Sequence, residues 1–213
     1  MSQPTEYQHL FERPSVAGAP VWVLLHGTGG DAHDLVPVVD RINPGAGHLA
    51  LQGPVLEGPM RRFFKRLREG VFDQESLRVE TSRLDAFLAR AVEAYRLQDV
   101  PLVGLGFSNG ANLLASYLLS GGKHLGGAVL WRPMTPYQPV ETRVGQAPVL
   151  MLSGTHDGMA TREDVEGLAR LLAVGGAAVD HQFLPAGHNL LHEDFDRTVR
   201  WVQEQGWQTL YNV

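Results

Sequence analysis

The sequence predicts an α/β architecture, a mostly parallel central sheet with helices on both faces, built as one domain over residues 1–213. Three observations carry that expectation. Residues 21–25 (Val-Trp-Val-Leu-Leu) form an unbroken apolar run, and 126–131 and 148–153 repeat the type, as strands covered on both faces should. Segments with apolar residues at helical spacing alternate with these runs, the order that produces parallel strands joined by crossover helices. Finally, residues 102–106 run straight into a helix candidate beginning at Asn109, through the corner Gly106-Phe107-Ser108-Asn109-Gly110.

Taken in order, residues 7–11 suit a short edge strand, followed by a loop between Pro14 and Pro20. The 21–25 strand ends in the glycine-rich loop His26-Gly27-Thr28-Gly29-Gly30-Asp31. Leu35, Val38, Val39 and Ile42 give residues 34–42 a helical period that Pro44-Gly45 ends, and 48–51 makes a second short strand. Residues 52–79 show no clean period, so they read as a long irregular segment. Leu84, Phe87, Leu88, Ala91, Val92 and Tyr95 then mark an amphipathic helix. Beyond the serine corner come strands at 126–131 and 148–153, a helix at 161–174 stopped by Gly175-Gly176, a last strand at 179–184 and a closing helix from Glu193.

Composition narrows the function classes. With 213 residues, 44% hydrophobic and 19% charged, the chain has enough apolar content for one sizeable core. A net charge of -5 with mixed signs argues against a nucleic-acid partner. Zero cysteines exclude disulfides, a thiolate nucleophile and cysteine metal sites. The opening Met1-Ser2-Gln3-Pro4-Thr5-Glu6 has neither a basic region nor an apolar run, and no stretch approaches the ~20 apolar residues of a membrane span. The absence of cysteine is compatible with a reducing cytosol.

The chemistry centres on the corner. A serine at a strand-to-helix turn projects its hydroxyl beyond the carboxyl edge of the sheet, and flanking glycines let strand end and helix start approach closely. Serine needs a base to take its proton, and the base needs a third group to orient it. Ser108, Asp157 and His188 each stand in a loop leaving a predicted strand end, in the chain order nucleophile, acid, base. Thr28, in the glycine loop, and Asn109, at the helix start, supply two backbone N–H groups for an oxyanion. His156 adjoins Asp157 but should point away from it, His181 lies within a strand, and His192 opens the last helix. His188 and His192 are four apart but lack the H-E-x-x-H form and a third ligand, so no metal is expected. A dinucleotide fingerprint from Gly104 fails because Asn109 stands where its third glycine belongs, and the 26–31 loop lacks the lysine of a phosphate loop. Met60, Phe63, Phe64, Trp131 and Met134 are candidates for a substrate pocket, with core packing as the competing reading. Arg61, Arg62 and Arg132 could hold a substrate carboxylate, or be solvated or paired.

His26-Gly27-Thr28-Gly29-Gly30-Asp31, Gly106-Phe107-Ser108-Asn109-Gly110-Ala111-Asn112 and Gly187-His188 together resemble the phospholipase/carboxylesterase family of α/β-hydrolases, and within it the small bacterial carboxylesterases of the hydroquinone-resistance type. The likeness extends over nearly the whole chain, including residues 61–64 and Arg132-Pro133-Met134. It implies a cytoplasmic, single-domain hydrolase core without a large cap domain, working on carboxylic esters or thioesters with no cofactor. It also implies a triad of Ser108, Asp157 and His188, oxyanion donors at Thr28 and Asn109, and a homodimer as relatives often form. One departure is Gly158-Met159-Ala160 after Asp157, where relatives carry a proline-containing turn. Two other activities share these motifs: a thioesterase or lysophospholipase using longer acyl chains, and a silent hydrolase fold kept as a binding module.

Overall fold

The computed structural model describes residues 6–139 and 141–207, so the extremities of the predicted 1–213 unit lie outside the described residues. Strand β1 (His9–Glu12) leads into β2 (Val21–Leu25), α1 (Val36–Ile42) and β3 (Gly47–Leu51). Two small hairpins follow, β4 (Val55–Glu57) with β5 (Met60–Arg62), and β6 (Arg66–Arg68) with β7 (Val71–Phe72). Then come α2 (Gln74–Ala94), β8 (Leu102–Phe107), α3 (Asn109–Leu119), β9 (Gly127–Trp131), β10 (Pro148–Gly154), α4 (Arg162–Val174), β11 (Ala178–Leu184) and α5 (His192–Glu204).

Seven strands form one sheet in the order β1-β3-β2-β8-β9-β10-β11. Only β1 is antiparallel to its neighbour; the other pairings are parallel. Side chains alternate across a strand, and β2 shows the consequence. Val21, Val23 and Leu25 enter the core under α2, α3 and α4, whereas Trp22 and Leu24 enter the opposite core under α1 and α5. Two fully buried layers explain why the central strands read as unbroken apolar runs. Each large aliphatic side chain sunk in them contributes about 1.5–3 kcal/mol.

Two sequence expectations need correcting. Residues 52–79 are not one irregular segment: they hold two hairpins and the first turns of α2. Strands of two or three residues are too short to display alternation, and Gly58 and Gly70, at φ of 59° and 73°, make their turns. Helix α2 begins ten residues before the first residue of the predicted stripe, because Asp73 caps it by accepting the Ser76 N–H at 3.0 Å. Because the strands run parallel, the loops after β2, β8, β10 and β11 all open at the same sheet edge.

Candidate active site

The corner between β8 and α3 has the strained geometry that its motif requires. Ser108 sits at φ 51°, ψ -111°, a conformation costly for any residue with a side chain. The turn is pinned by the Ser108 N–H donating to the Trp131 carbonyl at 2.9 Å. A Cβ on Gly106 would lie 2.6 Å from the Ala111 nitrogen, and one on Gly110 would run into the Leu25 carbonyl, so both must be glycine. Although Ser108 is the N-cap of α3, its hydroxyl makes no capping bond and stays available.

That hydroxyl meets the ring of His188: Nε2 lies 2.7 Å from the Ser108 Oγ, while Nδ1 lies 2.9 Å from Asp157 Oδ2. An ionised Asp157 can only accept, which places the ring proton on Nδ1 and leaves Nε2 as an acceptor for the hydroxyl. The Asp157 side chain is 5% exposed and its other oxygen accepts the Met159 N–H at 2.9 Å. The non-proline turn Gly158-Met159-Ala160 therefore still holds the carboxylate in place. The Phe107 ring, centroid 5.7 Å away, flanks the imidazole.

The glycine loop stands beside this row. His26 is 2% exposed and bridges two backbones: its Nδ1 is 2.7 Å from the Gly27 carbonyl, and its Nε2 accepts the Gly53 N–H at 3.0 Å. Burial holds its pKa below the ordinary histidine value. Residues from the first hairpin grip the loop, with the Gly29 N–H on the Arg61 carbonyl at 2.9 Å and the Arg62 Nη1 on the Thr28 hydroxyl at 2.7 Å. Phe63 N–H in turn donates to the Asn109 side chain at 2.7 Å. Among the described residues no acceptor takes the N–H of Thr28 or of Asn109. His26 and Arg62 escaped sequence reasoning as loop-holding groups; the one available signal was their place beside the glycine loop and the aromatic pair.

Other sequence candidates fall elsewhere. Phe63, Phe64 and Trp131 have no exposed surface, so their assignment to a substrate pocket is corrected. Phe63 packs against His26 and Tyr7, Phe64 meets Phe72 edge-on, and Trp131 donates to the Thr198 hydroxyl at 3.1 Å beneath Phe195. Met60 remains exposed beside Gly29, and Met134 is half-buried with its N–H on the Asn112 side chain. Arg62 and Arg132 are buried and engaged, which withdraws them as free carboxylate binders; Arg61 is half-buried. His156 is exposed and bonded to the Thr155 hydroxyl, His181 reaches the Ser153 hydroxyl at 3.0 Å, and His192 lies against Arg41, so His188 and His192 do not converge. No helix among the described residues is long and apolar enough to cross a membrane.

Comparison with known proteins agrees with the fold. No protein-family model matches the chain. It is 37% identical over 198 residues to MhqD of Bacillus subtilis (strain 168), a protein with a provisional hydrolase name, covering 92% of this chain and 98% of that one. The crystal structure of the Bacillus cereus carboxylesterase superposes with a TM-score of 0.87 at 35% identity, over 93% of this chain and 94% of that chain. A carboxylesterase from Mesorhizobium loti does so at 0.81 and 32%, over 86% and 88%. With the sheet order, the corner and these relatives in hand, the chain belongs to the carboxylesterase-type α/β-hydrolases.

Proposed function

We propose that this hydrolase cleaves small or short-chain carboxylic esters through an acyl-enzyme on Ser108. The observation that supports it best is the continuous row Ser108 Oγ, His188 imidazole, Asp157 carboxylate, at 2.7 and 2.9 Å. His188 takes the Ser108 proton as the oxygen attacks the ester carbonyl. The Thr28 and Asn109 N–H groups receive the oxyanion, and His188 passes its proton to the departing alcohol. Water then enters the same position, is deprotonated by His188 and releases the acid. Asp157 keeps the ring in its Nδ1–H form and stabilises the imidazolium. Each step needs only protein groups and water.

The short-chain preference rests on burial. Three of the five residues that could have lined a long acyl groove, Phe63, Phe64 and Trp131, belong to the core, which leaves Met60, exposed beside Gly29, and the half-buried Met134. A fluorophosphonate probe should label Ser108, and Ser108→Ala should lose p-nitrophenyl acetate turnover by about 10⁶-fold. Undiminished hydrolysis by that variant would reject the reading. Across a p-nitrophenyl ester series, rates should fall beyond butyrate; rates rising toward longer chains would move the assignment to a lysophospholipase or long-chain thioesterase.

A further inference from the structure

Arg132 has no part in the chemistry above, yet the fold surrounds it as if its position mattered. The side chain is fully buried and all five of its guanidinium N–H groups are used. Nε donates to the Gly187 carbonyl at 3.1 Å and Nη2 to the Asn189 carbonyl at 3.0 Å, the residues immediately before and after His188. Nη1 donates to the Leu152 carbonyl at 3.1 Å. The remaining pair forms a fork on Asp194, Nη1 to Oδ1 at 2.7 Å and Nη2 to Oδ2 at 2.8 Å. Asp194, equally buried, accepts the Leu191 N–H at 2.7 Å. One ion pair thus fastens the loop 187–191 at three backbone points.

The same corner also touches the nucleophile. The carbonyl of Trp131, the residue before Arg132, accepts the Ser108 N–H, and Arg132 itself turns at φ 54°. Two consecutive residues therefore tie the serine turn and the histidine loop to one another. A buried ion pair adds little net stability over an apolar pair of the same shape, so its consequence here lies in geometry. We propose that Arg132 is a positioning residue, setting the height and angle of the His188 ring over Ser108 through the Gly187 and Asn189 carbonyls. Asp194 fixes the guanidinium for that task. Lysine offers three donors without the planar fork and can satisfy only part of the set. The proposal rests on the reading of Ser108 and His188 as nucleophile and base.

Two variants test it: Arg132→Lys, and Arg132→Met combined with Asp194→Leu, which removes both charges and leaves neither unpaired. Folding is followed by circular dichroism, and competent sites are counted by fluorophosphonate labelling run to completion, so unfolded molecules do not enter the rate. Turnover of p-nitrophenyl acetate per labelled site should fall about 100-fold in the paired variant, the scale of a misplacement near 1 Å. Arg132→Lys should fall between that and the native enzyme, and KM should stay within about threefold throughout, as expected when only the transition-state geometry is lost. Turnover per labelled site within about twofold of the native value in either folded variant would make the pair purely structural and overturn the proposal. Failure of the underlying reading looks different: native protein that resists the probe, or Ser108→Ala at native activity.

Discussion

The N–H of Gly53 donates to Nε2 of His26 at 3.0 Å, joining the start of the first hairpin to the glycine loop across 27 positions of chain. Because Nε2 accepts, the ring proton is on Nδ1, facing the Gly27 carbonyl at 2.7 Å. A second proton would set an N–H against the Gly53 N–H. Burial, only partly offset by the Gly27 bond, holds the folded pKa below 6.5. Between the folded and unfolded values the unfolded chain carries more protons, so stability rises with pH in that window and is lost as pH falls from about 6.5. The expected slope is at most about 1.4 kcal/mol per pH unit for this group. Urea unfolding of native protein and His26→Gln at several pH values should show the difference between them shrinking toward acid. His181, whose pKa burial also lowers, contributes equally to both proteins and cancels. A difference independent of pH would contradict the assignment.

Strain at Ser108 predicts a stability difference between two substitutions that both remove the nucleophile. Glycine accepts φ 51° without the side-chain penalty, whereas alanine retains it. Ser108→Gly should therefore be more stable than Ser108→Ala by about 1 kcal/mol, the low end of the cost of such backbone outliers. Thermal melts compare the two. Both should be inactive.

Removing the Thr28 hydroxyl should be costly, whereas removing its methyl should not. Thr28→Val leaves the buried Arg62 Nη1 without its acceptor, at a cost of about 2 kcal/mol in chemical denaturation. Thr28→Ser keeps the acceptor and should stay near native stability. Equal losses in the two would mean that the Arg62 bond is not what holds the loop.

The Arg132–Asp194 pair should be costly to break and cheap to replace. Asp194→Ala strands a fully buried guanidinium and frees the Leu191 N–H, so a loss of about 3–5 kcal/mol is expected. The apolar pair at both positions should recover most of it, measured as a double-mutant cycle by urea unfolding. Additive losses would place the cost elsewhere.

Much of the architecture was legible because burial on two faces leaves a distinct trace: residues 21–25, 127–131 and 148–152 carry no polar side chain, and each run lies within a central strand. The serine corner was legible because its backbone demands glycine at 106 and 110, a requirement written directly in residue type. The hairpins at 55–72 left no trace, since strands of two or three residues are shorter than the run over which alternation becomes recognisable. Phe63, Phe64 and Trp131 could not be sorted between core and pocket for a similar reason. An aromatic side chain has one composition in either place, and only the packing around it decides.

Sequence alone determined the sheet type, the loop-bearing strand ends and the residue types available for proton transfer, because these follow from hydrophobic period and backbone permission within a few neighbouring positions. Tertiary structure decided what those loops do together. It brought His188 within 2.7 Å of Ser108 across 80 residues, and it buried Arg132 and Arg62 as fastenings rather than leaving them at the surface. Charge carries no mark in the sequence of whether its partner is water or a carbonyl far along the chain; that depends on which surfaces the packed sheet and helices leave open.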